Sequence, residues 1–253
     1  MAEGGKILAR IIKELAERAR PGVATKELDG LAESLVFKYG GECSFKGYEN
    51  FPACLCTSIN DEIVHAIPSN RILKEGDILS LDLGIFYKGF HTDMAITLPV
   101  GKISSQAKKL IEVTRKALEI GIEKVKIGNC FGDISRAIQK HAESHNFGVV
   151  RELCGHGIGR KLHEDPQILN SVSMSKETVD KVEYQGEAKI KLKEGMVFCL
   201  EPMITAGDWR IKKSASGFAY QTRDNSLSAH FEHTIAIAKS GIQILTKIKR
   251  GVQ

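Results

Sequence analysis

The chain has 253 residues, of which 42% are hydrophobic and 26% charged, with a formal net charge of +5. A chain of this length buries roughly 70–75% of its unfolded surface, as one large domain or two small ones, without needing disulfides. Its mild positive charge points to a solvated surface rather than a dedicated nucleic-acid surface, and no apolar run approaches the roughly 20 residues that cross a bilayer, which excludes helical membrane insertion.

Residues 6–20 place Ile7, Leu8, Ile11, Ile12 and Leu15 at helical spacing, and Pro21-Gly22 ends that helix. Thr25 is a candidate cap for a second helix over 26–39, with Leu28, Leu31, Ala32 and Leu35 on one face and Gly40-Gly41 beyond its end. Residues 43–67 read as extended segments, with Asn60-Asp61 as a turn and 62–66 as the next strand. The stretch LKEGDILSLDL over 73–83 then opens a hairpin that turns at Tyr87-Lys88-Gly89 and returns over 90–98. After it the layout recurs: helices over 107–126 and 133–145, a strand over 149–154, a loop through His163, and strands over 196–205 and 229–237. Residues 174–191 alternate charges of both signs, which predicts a solvated hairpin or excursion. No linker rich in Pro, Gly or Ser separates the repeats. We therefore expect one domain over 1–253 with internal pseudo-symmetry, its halves roughly 1–105 and 106–253. The six cysteines, Cys43, Cys54, Cys56, Cys130, Cys154 and Cys199, include no CxxC pair, and no secretory signal precedes them. Reduced thiols in a cytoplasmic protein are the expectation.

The repeat carries the chemistry. LKEGDILSLDL at 73–83 returns as LKEGMVFCLEP at 192–202, and in each copy the sixth residue after the glycine is a carboxylate, Asp82 or Glu201. An acid inside such an apolar run needs a cation or a tight partner, because an unpaired buried carboxylate costs several kcal/mol or neutralises. Asp93, eleven residues after Asp82, returns across the predicted hairpin to the same spot, and Glu232 stands to Glu201 in the same way. Like charges that close repel unless a cation lies between them. Gly155-His156-Gly157-Ile158-Gly159 adds one imidazole, whose flanking glycines let the backbone turn closely around it. Four carboxylates and an imidazole form a hard, oxygen-rich set suited to Mn²⁺, Fe²⁺, Co²⁺ or Zn²⁺ rather than to a structural thiolate site. Five side chains exceed the needs of one open catalytic ion, so a two-metal site that generates hydroxide at neutral pH is expected. That reasoning reaches metal-assisted hydrolysis without choosing a substrate.

The segments NDEIVHAIP (60–68), DLG (82–84), HTD (91–93), GHGIG (155–159) through HEDP (163–166), EPM (201–203) and SLSA through FEHT (226–234) occur in the order in which they occur in type I methionine aminopeptidases, which the chain resembles over nearly its whole length. The resemblance implies an α+β pita-bread fold: two pseudo-twofold-related αβ halves around a central curved antiparallel sheet, with helices on the outer face. It implies two divalent ions, with Asp82 on one, His156 and Glu201 on the other, and Asp93 and Glu232 bridging both. By the same resemblance His65 acts on the substrate amide, His163 steadies the carbonyl oxygen, and Glu201 also handles the proton of the attacking water. Tyr48, Phe51, Cys56, Leu162 and Phe218 would wall a methionine pocket, with Leu162 and Phe218 standing where the family has Phe and Trp. His91, His141, His145, His230 and His233 match no ligand role and are expected to be structural or exposed. Arg210, Lys212, Lys213 and Arg223 sit where bacterial relatives approach the ribosome. A bacterial-type enzyme is implied, lacking the N-terminal zinc-binding extension and the helical insert of other classes, cytoplasmic and monomeric, that acts on nascent chains starting with Met before a small residue.

Two rival readings follow from the same residues. A proline-directed peptidase on this fold would carry a longer N-terminal domain and a different histidine pattern before the glycine loop. A non-catalytic binding protein would have lost metal ligands, and all five candidates are present here.

Overall fold

The structure, a computed structural model, describes residues 1–172 and 184–248. The first half runs α1 (Ala2–Arg18), α2 (Thr25–Lys38), β1 (Glu42–Cys43), β2 (Leu55–Ile59), β3 (Glu62–Val64), β4 (Ile78–Tyr87) and β5 (Phe90–Pro99). The second runs α3 (Ser105–Glu123), α4 (Phe131–Ser144), β6 (Gly148–Val149), β7 (Cys154–Gly157), β8 (Glu164–Leu169), β9 (Val197–Leu200), β10 (Met203–Thr205), β11 (Ile211–Lys213), β12 (Tyr220–Thr222), β13 (Ser228–His230), β14 (His233–Ala238) and β15 (Gly241–Ile244).

The period-two pattern of β4 explains the layering. Leu79, Leu81, Leu83 and Ile85 join Leu8, Ile11, Ile12 and Leu15 of α1 and Leu28 and Leu35 of α2 in one buried cluster. Ser80, Asp82 and Gly84 therefore face the opposite way, toward the second half. Each fully buried Leu or Ile contributes about 1.5–3 kcal/mol relative to exposure, so the apolar face fixes the register that turns the acid inward. In that register Asp82 pairs with Ala95 and Gly84 with Asp93, which places both acids diagonally on one face of the hairpin. The second half repeats the arrangement, with Leu110, Val113, Ala117, Ile134 and Ile138 packing under Phe198, Leu200 and Ile235.

The inner faces meet along a hydrogen-bonded seam. Glu232 N–H donates to the Ala95 carbonyl at 2.9 Å. Asp93 N–H donates to Thr234 Oγ1 at 2.9 Å, and that hydroxyl donates back to the Asp93 carbonyl at 2.8 Å. Thr97 Oγ1 and the backbone of His230 exchange a pair of bonds in the same way, each 2.8 Å. β12 of the second half pairs with β3 of the first, Tyr220 opposite Val64.

Several expectations are corrected. The strand predicted over 196–205 is broken at Glu201-Pro202 into β9 and β10, which belong to different sheets. Proline lacks the N–H that a continuing ladder needs. The strand predicted over 229–237 likewise breaks at Phe231-Glu232, where the Glu232 N–H turns to β5. Of the 149–154 region only Val149, paired as part of β6, enters a ladder before Cys154. Within 43–67, residues Tyr48–Asn50 form a 3₁₀ turn rather than extended chain. Thr25 is the first residue of α2, not its cap: its hydroxyl is taken by the backbone of Ser69, and Glu27 Oε1 accepts from Ala24 N–H at 2.9 Å. Cys43 and Cys54 form a disulfide across a separation of 11 residues, so these two thiols are not reduced as expected. β1, which carries Cys43, and β2, which starts just after Cys54, lie end to end along one edge of β4, Cys43 opposite Ile85 and Leu55 opposite Leu83. Of the alternating-charge segment, 174–183 lies outside the described residues. Its end forms a 3₁₀ turn, Gly186–Lys189, before a bridge from Lys191 to Cys130.

Candidate metal centre and active-site cleft

Asp82 on β4, Asp93 on β5, Glu201 after β9, Glu232 before β14 and His156 on β7 converge where the two inner faces meet, at the floor of a cleft of about 1110 Å³. All four acids are buried. Carboxylate oxygens of Asp82, Asp93 and Glu232 lie within 4.8 Å of one another, as do donor atoms of His156, Cys199 and Glu232. Asp82 Oδ1 and Glu232 Oε1 are buried with no hydrogen-bond partner. Burial pushes all four acids up, Asp93 to about 7, and repulsion from neighbouring acids adds to it at Asp82, Glu201 and Glu232. Among the described residues no lysine or arginine pairs with these acids; their basic neighbours are imidazoles whose own pKa values are depressed, His156 to about 4, chiefly by burial. Clustered anions with orphaned oxygens are what a hard divalent cation requires, and the donor set fits that group.

The histidine is prepared as a ligand. His156 Nδ1 lies 2.9 Å from the Gly157 carbonyl, which only an N–H can satisfy, so Nε2 is bare and points into the cluster, 3.6 Å from Glu201 Oε1. The flanking glycines serve a purpose different from the turn expected of them. A Cβ on Gly155 would fall 2.3 Å from the Cys199 carbonyl oxygen and one on Gly157 the same distance from that of Asp165. They let β7 pass between β8 and β9 at close range, and a register shift between His156 and Gly157 re-aims the imidazole.

Cys199, counted from the sequence only among the thiols, borders the same cluster. Its thiol is pushed well up by burial and neighbouring acids and lies 3.7 Å from Thr234 Oγ1. Because that hydroxyl already donates to Asp93, the thiol is the donor, which keeps its proton and makes it a poor ligand.

His65 and His163 stand above the acids and line the cleft. His65 holds a left-handed backbone with φ 59, a conformation costly for a non-glycine residue and frequent at functional sites. Water reaches its ring through the cleft, yet the surrounding protein lowers its pKa by partial desolvation. His163 meets His156 edge to face, centroids 4.3 Å apart, and its Nδ1 lies 2.8 Å from the Tyr48 hydroxyl. That bond leaves Nε2 free.

The five expected wall residues, Tyr48, Phe51, Cys56, Leu162 and Phe218, all line the cleft. Phe51 and Phe218 pack edge to face at 5.7 Å, and Cys56 lies opposite Asp82 in the ladder, which joins the apolar wall to the acidic floor. Phe45, Met203 and Tyr220 complete the wall and were not singled out in the sequence. Met203 could have been, since it ends the EPM motif; Phe45 and Tyr220 carry no comparable signal. Of the four basic residues Arg210, Lys212, Lys213 and Arg223, only Lys213 lines the cleft, lying over the Tyr220 ring, while Arg210 pairs with Asp208 at 2.8 Å and lies over Trp209. Of the unassigned histidines, His91 bonds Ser44 and His233 bonds Thr246, whereas His230 is fully buried beside Glu201.

The sequence profile of metallopeptidase family M24 matches residues 1–239. Methionine aminopeptidase 1 of Bacillus subtilis is 45% identical over 248 residues, covering 98% of this chain and 95% of its own length. The methionine aminopeptidase of Clostridium perfringens is 44% identical with the same coverage. Among solved structures, the methionine aminopeptidase of Thermotoga maritima superposes with a TM-score of 0.90 at 38% identity, over 98% of this chain and 95% of that one. Prolidase from Pyrococcus furiosus superposes at 0.74 with 21% identity, over 98% of this chain and 63% of that one, a likeness of fold alone. The shared architecture is the pita-bread fold.

Proposed function

The chain belongs to metallopeptidase family M24, and on that premise we propose that it removes the initiator methionine from nascent proteins and peptides whose second residue is small. It is a metal-dependent exopeptidase. The observation that carries the reading is the acid cluster with orphaned Asp82 and Glu232 oxygens at the floor of a cleft whose wall is aromatic and sulfur-rich.

Asp82, Asp93, His156, Glu201 and Glu232 would hold two divalent ions, of Mn²⁺, Fe²⁺, Co²⁺ or Zn²⁺ type. When bound, the ions supply positive charge to the acids and acidify water at neutral pH. The remaining work belongs to the chain. The apolar wall takes an unbranched thioether, each sulfur–aromatic contact contributing about 0.3–1.5 kcal/mol. His65, unprotonated at neutral pH, receives or donates a hydrogen bond at the substrate amide. His163, oriented through Nδ1 by Tyr48, presents Nε2 to the carbonyl oxygen, where charge develops. Glu201 takes the proton of the attacking water and delivers it to the leaving amine. Residues from both halves contribute, which supports reading 1–253 as one catalytic unit. Arg210, Lys212, Lys213 and Arg223, on and beside β11 and β12, suit a transient, salt-sensitive contact with ribosomal phosphates. Such an enzyme would act in the cytoplasm, as a monomer, where chains emerge.

The test offers Met-Gly-, Met-Leu-, Leu-Gly- and Xaa-Pro-initiated peptides to metal-free protein, adding back one divalent ion at a time. Metal-dependent release of methionine from the Met-Gly peptide alone is expected. Release from the Xaa-Pro peptide would move the activity to the proline-directed class, and no release with any ion would leave a binding protein.

A further inference from the structure

His230 ends β13 with 1% of its surface exposed, and neither Nδ1 nor Nε2 has a hydrogen-bond partner. Burying an imidazole with both nitrogens unpaired is costly, and an apolar side chain of similar volume would avoid that cost. Its backbone cannot drift to relieve it, being held to Thr97 Oγ1 through both N–H and carbonyl. The ring faces the acid cluster: Nε2 lies 3.8 Å from Glu201 Oε2, while the other oxygen of that carboxylate, Oε1, lies 3.6 Å from His156 Nε2. Glu201 thus stands between two imidazoles of unequal capacity. His156 has committed its N–H to the Gly157 carbonyl and offers only a lone pair. His230 has committed nothing and is able to donate. The terminal torsion of a glutamate is soft, and closing the gap to hydrogen-bond length takes a shift of about 1 Å.

We propose that His230 is a positioning residue for Glu201: its Nε2–H donates to Oε2 and holds the carboxylate with Oε1 turned to the cleft, beside the bare nitrogen of His156. The inference rests on the assignment of Glu201 as metal-binding and proton-handling. Groups that hold a metal-binding side chain from behind typically change affinity or activity about 10–100-fold when removed. Glutamine is the conservative replacement, because its amide nitrogen reaches the position of Nε2; leucine fills the space and donates nothing.

The experiment compares wild type, His230→Gln and His230→Leu. Mn²⁺ is titrated calorimetrically into each metal-free protein, Co²⁺ absorption is recorded, and kcat and KM are measured on a Met-Gly peptide. For His230→Leu we expect Mn²⁺ affinity or kcat to fall about 10–100-fold with KM for peptide little changed, and a metal-free Tm equal to or above wild type, since an unpaired polar group has gone. His230→Gln should recover most of the loss in both readouts. Unchanged affinity and kcat in His230→Leu, or a lowered Tm as its only defect, would make the ring a packing element and overturn the proposal. Loss of one equivalent of Co²⁺ in both variants would make His230 a direct ligand and overturn it equally. If wild type itself releases no methionine, the proposed function fails, while the Mn²⁺ titration still reports on His230.

Discussion

Metal-free protein should lose stability as pH rises from 6.5 to 8. The four cleft acids have folded pKa values raised by burial, Asp93 to about 7, and Asp82, Glu201 and Glu232, which neighbouring acids also push up, well above their ordinary range. A carboxyl whose folded pKa exceeds its unfolded value of about 4 holds a proton in the folded state that the unfolded chain has released. Its contribution to stability is therefore lost as pH climbs toward the folded pKa. Depressed histidines act with the opposite sign: His156 and His233 at about 4 and His230 at about 3 favour the folded state increasingly as pH rises to the unfolded imidazole value. The two sets oppose below pH 6.5. Above it the imidazoles are neutral in both states, and the acids alone remain. Asp93 alone, releasing its proton near pH 7, costs about 0.8 kcal/mol across that window, which for a chain of this size is about 2–3 °C in Tm, and the other three acids act in the same direction. Thermal unfolding of metal-free protein at pH 6.5, 7, 7.5 and 8 measures it, with Mn²⁺ added in parallel. Added metal should raise Tm more at pH 8 than at 6.5, because the ligands must be deprotonated to bind. A metal-free Tm that is flat or rising across the window would show the acids already ionised and refute the reasoning.

Asp93→Asn removes the carboxyl that ionises near pH 7; metal-free Tm at pH 8 should rise, while metal-dependent peptide release falls by more than the roughly 10–100-fold typical of groups that only support a ligand, and full activity in this variant would sink the two-ion reading. Gly155→Ala places a Cβ against the Cys199 carbonyl, 2.3 Å away, where backbone cannot yield. A destabilisation of about 1–3 kcal/mol with weakened Mn²⁺ binding is expected, and a wild-type Tm would mean that β7 is free to shift. Leu162→Phe narrows the pocket with a ring, and discrimination of Met over Leu at the first position should grow about fivefold, worth about 1 kcal/mol. Equal kcat/KM ratios before and after would show that this wall does not read the side chain.

The helices and the inward acids were legible because apolar periodicity is a local signal. Leu79, Leu81 and Leu83 declare which face of β4 is buried, and Asp82 must then lie on the other. The repeat LKEG placed Glu201 by the same logic. The strand breaks at Glu201-Pro202 and Phe231-Glu232 were not legible as sheet boundaries: which sheet a strand joins depends on partners far away in sequence, such as Ala95 for Glu232. The disulfide was missed because positions brought together along one edge of β4 cannot be read from spacing. His230 matches no motif position. Its alternation with Glu232 was the available sign that it faces the same way, and only burial beside Glu201 gave that sign weight.

The seam has a consequence for how the molecule divides. Each half owns two acids, Asp82 with Asp93 or Glu201 with Glu232, and each leaves backbone donors that only the other half satisfies, Asp93 N–H on Thr234 and Glu232 N–H on Ala95. A solitary half would expose those donors and hold a cation with half the charge. Neither half can therefore complete the cleft, or the hydrogen bonds of its own inner strand, without the other.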